Sequence, residues 1–405
     1  MLLYWVWFAQ LKGLTGQQKH QLLAHFRDPE ELYHSDPQVM SQIPGMTEQM
    51  MAALEDRSLA EAQKILADCA DKGIGILTYT DEHYPKKLQN TYEAPWLLYY
   101  KGKLPQWDEQ PLIAVVGTRK ATSYGMRAAY RYGSQIAACG GIVVSGGAAG
   151  VDTMALEGAL QAGAEVVCVF GCGVDVCYPA KNKDLFARVA AGGCILSEYP
   201  PRTEAYSWNF PRRNRILSGI SNGVLVVEAP MKSGALITAR LAMEQGREVF
   251  AVPGNVDVDA CTGSNALLQD YGIAALSGWD VVKEYQARYP GKVVRRDALQ
   301  PPEPAAVEVT QTPRMPKAHP TSREDTDKKS IDKDKNTTYS VVDRPKANLS
   351  QEEQAVLDKI GKAPMLIDEV IAASGLPAGK VKSLLTKLTV KGQLQNHPGG
   401  RVSRK

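Results

Sequence analysis

The run Trp208-Asn209-Phe210-Pro211-Arg212-Arg213-Asn214-Arg215 is the part of this chain that most needs a chemical explanation. Pro211 suits the first turn of a helix. Arginines in that turn oppose the helix dipole, so local stability does not account for them, whereas a bound polyanion does. An aromatic ring among arginines can stack a nucleobase while its neighbours neutralise the backbone. The competing reading is a core Phe210 beside solvated arginines. Further loops carry related chemistry. Gly117-Thr118-Arg119 lets the backbone approach a phosphate and supplies a hydroxyl and a guanidinium. Gly146-Gly147-Ala148-Ala149-Gly150 leaves a flat floor, and Gly150 opens a helix whose free amides suit an anion. The alternative there is close helix–strand packing, with Asp152 as a cap. Lys181 and Lys183 follow a Gly171-Cys172-Gly173 turn, in which the cysteines read as core or turn residues. Lys232-Ser233-Gly234 reads as another helix start ready for an anion, with Ser233 as its cap. Glu228, the one carboxylate at this floor, is expected to pair with Arg212 or Arg215. No second carboxylate or nucleophile is matched to it for acid–base work.

Inventory excludes several classes. The six histidines are His20, His25, His34, His83, His319 and His397, so none lies among the Gly-rich loops. A histidine-based triad or zinc site there is excluded. Seven cysteines form no CxxC pair and read as reduced thiols of a cytoplasmic protein. No apolar run reaches the ~20 residues that span a bilayer. The apolar start Met1–Phe8 is too short for a signal peptide and lacks a basic lead. No Walker lysine and no dinucleotide-type Gly fingerprint is present, which disfavours an ATPase and a nicotinamide oxidoreductase. Lys and Arg total 47 against 44 Asp and Glu, so the net charge of +3 does not by itself announce a nucleic-acid partner.

The elements that must position these loops read as follows. A length of 405 residues suggests two or three domains. Residues 1–71 read as a small helical SAM-like or helix-hairpin-helix bundle, with turns at Pro29, Pro37 and Ile43-Pro44-Gly45. Residues 72–110 are a connector with short strands at Ile74–Tyr79 and Trp96–Tyr100. Over 111–289, apolar strands alternate with helices. The strands are Leu112–Val116, Ile142–Val144, Glu165–Phe170, Gly193–Leu196, Val224–Val227 and Glu248–Val252, and the helices include Gly125–Cys139, Val151–Gln161 and Ala235–Gln245. That alternation implies an α/β fold, a parallel Rossmann-like sheet with helices on both faces and ligands at the strands' carboxyl ends. Residues 290–348 read as a disordered linker. Residues 349–405 read as three helices and a hairpin, a winged helix-turn-helix. That segment carries nine Lys and Arg against five Asp and Glu, and suits DNA or protein docking equally.

Taken in order, these motifs resemble the DprA/Smf family, DNA-processing protein A. The resemblance rests on Gly117-Thr118-Arg119, Ser145–Asp152, the Gly171-x-Gly173-x-Asp175-x-x-Tyr178-Pro179 run and Ser197-Glu198-Tyr199-Pro200-Pro201. It continues through Asn209–Arg215, Glu228-Ala229-Pro230, Ser233-Gly234, Val252-Pro253-Gly254 and Gly263-Ser264-Asn265. It implies an extended Rossmann-like domain that binds single-stranded DNA, forms a homodimer and loads the RecA recombinase during natural transformation, displacing or bypassing single-strand-binding protein. It carries the family's pocket arginine onto Arg119 and its stacking aromatic onto Phe210, with Arg212, Arg213 and Lys181 as backbone contacts. The expected DNA-contact set is therefore Gly117, Thr118, Arg119, Gly146, Gly147, Ala148, Gly150, Lys181, Asn209, Phe210, Arg212, Arg213, Asn214, Lys232, Ser233 and Gly234. No catalytic residue, metal or cofactor is expected. Ala149 and Leu156 depart from the common family pattern of arginine and histidine there. The alternatives are a nucleoside-monophosphate phosphoribohydrolase-like enzyme, whose glutamate loop is absent here, and a winged-helix binder of duplex DNA.

Overall fold

A computed structural model describes residues 1–296 and, within 351–404, all but 364, 377–380, 382–383, 386–387, 389–392 and 398–400. The linker expected at 290–348 lies outside the described residues from 297 onward. Its first residues do not behave as linker. Val293 is buried, and the Val294 amide donates to the Cys139 carbonyl at 3.2 Å, so the packed chain runs past 289.

The chain opens with α1 (Leu2–Gln10), α2 (Gly16–Leu23), α3 (Pro29–His34), α4 (Pro37–Ser41), α5 (Glu48–Glu55) and α6 (Ala60–Asp71). Short polar residues start four of them. Thr15, Asp28, Asp36 and Thr47 each accept a backbone N–H of the first turn, satisfying donors that the helix itself cannot. The apolar opening is a core helix: Trp5, Val6, Trp7 and Phe8 are buried, and Phe8 meets Trp96 edge-on at 5.2 Å. These helices share one hydrophobic core with the sheet that follows.

That sheet holds β1 (Gly75–Thr78), β2 (Leu97–Gly102), β3 (Leu112–Val116), β4 (Ile142–Ser145), β5 (Val166–Val169), β6 (Cys194–Ser197), β7 (Gly223–Val226), β8 (Glu248–Ala251) and β9 (Ile273–Ala274). The spatial order is β1-β2-β6-β5-β4-β3-β7-β8-β9. β3 to β9 run parallel; β1 and β2 extend one edge antiparallel. Side chains alternate across a strand, and β3 shows the consequence: Ile113 and Val115 enter one core, Leu112, Ala114 and Val116 the other. The first core is covered by α8 (Ser123–Ala138) and α9 (Val151–Gln161), the second by α11 (Asn209–Ile220) and α12 (Gly234–Glu244). α10 (Lys183–Gly192) packs on the first face through Leu185, Phe186 and Val189. α8 and α9 approach closely because Gly133 and Gly158 lack side chains. A Cβ on either would stand 2.1 Å from a carbonyl of the other helix. The expected parallel sheet with helices on both faces is what the chain forms; the two short connector strands join its edge antiparallel as β1 and β2, and β9 is added.

A second compact unit contains α15 (Gln351–Leu357), β10 (Met365–Leu366), α16 (Ile367–Ser374), β11 (Leu394–His397) and β12 (Arg401–Arg404). Gly375 ends α16 in the left-handed conformation, φ 66°, the usual glycine stop. Val381, Leu384, Leu385 and Leu388 then recur at helical spacing and are buried with Val356, Leu357, Val370, Leu394 and Val402. β12 pairs with both β10 and β11, forming the wing.

Candidate nucleic-acid interface

Strand order decides where the loops meet. The chain leaves β3 outward through β4, β5 and β6, then returns to the other side of β3 as β7. The crevice between the ends of β3 and β7 is therefore the topological switch point, where open α/β sheets bind ligands. A cavity of about 390 Å³ lies there, lined by Gly117, Thr118, Arg119, Lys120, Ala148, Phe210, Lys232, Ser233 and Gly234 among others.

Phe210 sits at its mouth. The ring packs against Gly171, where a Cβ would come within 3.0 Å of it. The Arg119 guanidinium lies 5.3 Å from the ring centroid, and Tyr178, itself 45% exposed, tilts over Phe210 at 5.4 Å. Arg119, Tyr178 and Phe210 also border a slot of about 60 Å³ with Ala148 and Ala149. Phe210 is half-buried, between the two readings drawn from the sequence. Just before it, Tyr206 and Trp208 are exposed and stacked face to face, 4.8 Å apart with 6° between their planes. Neither Tyr178 nor this pair is among the contacts expected from the sequence. The aromatic spacing around the arginines was the available signal.

The arginines divide. Arg212 is exposed and lies outside the crevice lining, as does Lys181. Arg213 is 4% exposed: its guanidinium donates to the carbonyls of Gly146, at 3.0 Å, and Val169. Arg213, expected as a backbone contact, thus props the Gly146 loop from beneath while still bordering the crevice. One helix position, a turn of about 100°, separates it from Arg212. Asn209 and Asn214 are buried too, and Asn214 donates to the Gly234 carbonyl at 3.4 Å, tying α11 to α12.

The Gly146–Gly150 loop also differs from expectation. Two of its amides are taken internally: the buried Asp152 carboxylate accepts the Gly146 N–H at 3.1 Å and the Ala148 N–H at 3.4 Å. Burial pushes the Asp152 carboxyl up, opposed by Arg213 and these amides. Burial pushes Arg213 down, opposed mainly by Asp152. Gly147 and Gly150 are buried with positive φ. At Gly150, φ is +84° and a Cβ would stand 2.4 Å from the Thr118 carbonyl, so glycine there allows this loop to meet the Gly117–Arg119 loop.

Glu228 forms neither expected ion pair. Arg215 binds Glu198 through two bonds of 3.0 and 2.6 Å. Glu228, 1% exposed, accepts the Thr122 N–H at 2.8 Å and its hydroxyl at 2.7 Å, holding the N-terminus of α8. Replacing it with alanine leaves both donors without that acceptor, and is expected to destabilise the fold by about 2 kcal/mol, read as a lower urea midpoint. Asp152 and Glu228 are occupied internally, and α12 offers a helix N-terminus to the crevice. There Ser233 accepts the Ala235 N–H at 3.2 Å, Lys232 is exposed, and Gly234 faces open space. Cys172 is buried and Cys177 exposed, and no cluster of metal-ligating residues occurs among the described residues.

Comparison with known proteins gives the family of the chain. The profile of the family described as DNA recombination-mediator protein A matches residues 75–286, and that of the DprA winged helix domain matches 342–400. The chain belongs to the DNA recombination-mediator protein A family. Among relatives of the family, Protein Smf of Synechocystis is 30% identical over 99% of this chain and 98% of its own length. DNA processing protein DprA of Streptococcus pneumoniae is 41% identical over 51% of this chain and 72% of its own length. The X-ray structure of that family member aligns with a TM-score of 0.62 at 33% identity, covering 70% of this chain and 98% of the other. No helix among the described residues is long and apolar enough to cross a membrane.

Proposed function

We propose that this protein binds single-stranded DNA along the switch-point crevice and passes it to a recombinase of the RecA type during transformation or recombination. The observation that carries this reading is the Arg119 guanidinium over the half-buried Phe210 ring, with Tyr178 beside it, at the mouth of a crevice edged by Lys120, Lys232 and the α12 N-terminus. A base stacks on the rings while the cations neutralise its backbone. Binding without catalysis is favoured because the two carboxylates at this floor, Asp152 and Glu228, are engaged by backbone amides and a threonine. The family's description as a recombination mediator supports a recombinase as the receiving partner. Displacement of single-strand-binding protein, action as a homodimer and a cytoplasmic location belong to the same reading. Exposed Arg212 and Lys181 are placed along the track that the strand follows beyond the crevice.

The test is a titration of the full chain with a dT oligonucleotide and with a matched duplex across a salt series. The expected result is tighter, salt-sensitive binding of the single strand. Arg119→Ala should weaken it and flatten the plot of log affinity against log salt by about 0.7 per lost phosphate contact. The same titration should quench tryptophan fluorescence, because Trp208 is 62% exposed while Trp5, Trp7, Trp96 and Trp107 are buried and Trp279 is half-buried. Equal affinity for duplex, or an unchanged slope in Arg119→Ala, would reject the reading.

A further inference from the structure

A second recess lies at the opposite edge of the sheet. Its volume is about 420 Å³, and its lining includes Lys86, Lys87, Asp108, Gln245, Arg247 and Arg288. Lys86 and Lys87 come from α7 (Lys86–Gln89), Asp108 from the loop before β3, and Gln245 and Arg247 from the turn before β8. The DNA crevice is built from segments that follow β3, β4, β6 and β7. Strands of four or five residues, rising about 3.3 Å each, hold the two edges roughly 15 Å apart.

Four cations face one carboxylate in this recess. Asp108 is engaged by Lys87, whose amine lies 3.3 Å away and is also bonded to the Trp107 carbonyl and the Tyr289 hydroxyl. Lys86, Arg247 and Arg288 form no ion pair among the described residues. Arg247 donates to the carbonyls of Lys87 and Gly219 at 3.0 and 3.1 Å, yet its buried Nε has no acceptor. Gln245 donates to the Arg215 carbonyl at 3.1 Å, which orients its amide and leaves the buried Oε1 without a donor. Burial, then the charge of Arg288, pushes Arg247 down, with Glu248 opposing. Glu248 is exposed and accepts the Tyr285 hydroxyl at 2.8 Å, so it is engaged beside the recess. A cluster of like charges with an unused buried donor is what an oxyanion relieves. Guanidinium and ammonium groups together suit phosphate.

We propose that this recess binds a phosphate group, either of a free nucleotide or of a nucleic-acid backbone, at a site separate from the DNA crevice. The unpartnered Gln245 Oε1 accepts a hydroxyl or water that accompanies the phosphate. The proposal stands independently of the function proposed above.

The test uses the full chain carrying Arg119→Ala, so that the crevice is already weakened, and tripolyphosphate as the probe, by calorimetry at constant ionic strength. Binding is expected, and adding Lys86→Glu with Arg288→Glu should weaken it by about tenfold or more, since two attractions become repulsions. Both residues lie on exposed positions, and circular dichroism checks that the variant folds; if it does not, Lys86→Gln with Arg288→Gln carries the same expectation in smaller degree. No binding by the Arg119→Ala chain, or no weakening on charge removal, overturns the proposal. Displacement of the probe by a dT oligonucleotide assigns the site to nucleic-acid backbone, and displacement by dTTP alone assigns it to free nucleotide. Displacement by neither overturns it.

Discussion

Replacing Arg213 with alanine is expected to destabilise the first compact unit by about 3–5 kcal/mol, the range for removing one member of a buried charge arrangement. Three losses combine. The Gly146 and Val169 carbonyls lose their guanidinium donors. The buried Asp152 loses its main opposing charge. A void opens under Gly146, where the guanidinium now lies so close that even a methyl on that glycine would touch it at 2.4 Å. Urea denaturation should show a much lower midpoint. Single-strand affinity should fall as well, because the loop that Arg213 supports borders the crevice. The decisive comparison is a double-mutant cycle. Asp152→Asn added to Arg213→Ala should cost less than the sum of the two single changes, because neutral Asn leaves no uncompensated charge. Strict additivity would show that the two do not act on each other. Arg212→Ala, one residue away, should leave the midpoint nearly unchanged, since Arg212 is exposed.

Phe210→Ala is expected to weaken single-strand binding by about 1–3 kcal/mol, roughly fivefold to more than a hundredfold, the usual worth of one base–aromatic stack. The alanine also removes the surface that holds Arg119, so affinity and salt dependence should change together. Phe210→Trp should retain most of the affinity, since the larger ring preserves both the stack and the cation–π contact. A full loss in Phe210→Trp as well would mean that the position supports packing on Gly171 rather than a base. Measuring an oligonucleotide series with abasic sites separates the two: stacking predicts that wild-type affinity falls with base removal and that Phe210→Ala no longer responds to it.

Much of the framework was legible in the chain itself. Ile113-Ala114-Val115-Val116 and Val166-Val167-Cys168-Val169 are apolar on both faces, which only a strand covered on both sides accommodates. Val151–Gln161 was readable to the residue because Gly150 permits the positive φ that opens it. Arg119 and Phe210 each carry a bland alternative in the sequence, a surface arginine and a core ring, and only the family resemblance joins them; the structure sets the guanidinium 5.3 Å from the ring centroid.

Other features became visible only in three dimensions. Arg212 and Arg213 are the same residue type in adjacent positions, and the chain contains no local mark of which one turns inward. The helix places neighbours about 100° apart, so the choice falls to the space beneath Gly146, 67 positions away in sequence. Glu228 was expected to meet an arginine by charge; it instead holds Thr122, 106 positions earlier, because β3 and β7 are neighbours in the sheet. Asp152 reads as a cap on its own helix, yet it reaches back to the amides of the preceding loop. The stacked Tyr206 and Trp208 and the cationic recess around Arg247 follow the same rule. Sequence by itself determined the buried strands and the chemical character of each loop, because those depend on residue type and local period; the short exposed β9 carries no such pattern. Tertiary structure alone decided the partner of each charge, because electrostatic and hydrogen-bond partners are chosen by distance in space, and the strand order that sets those distances is a property of the whole sheet.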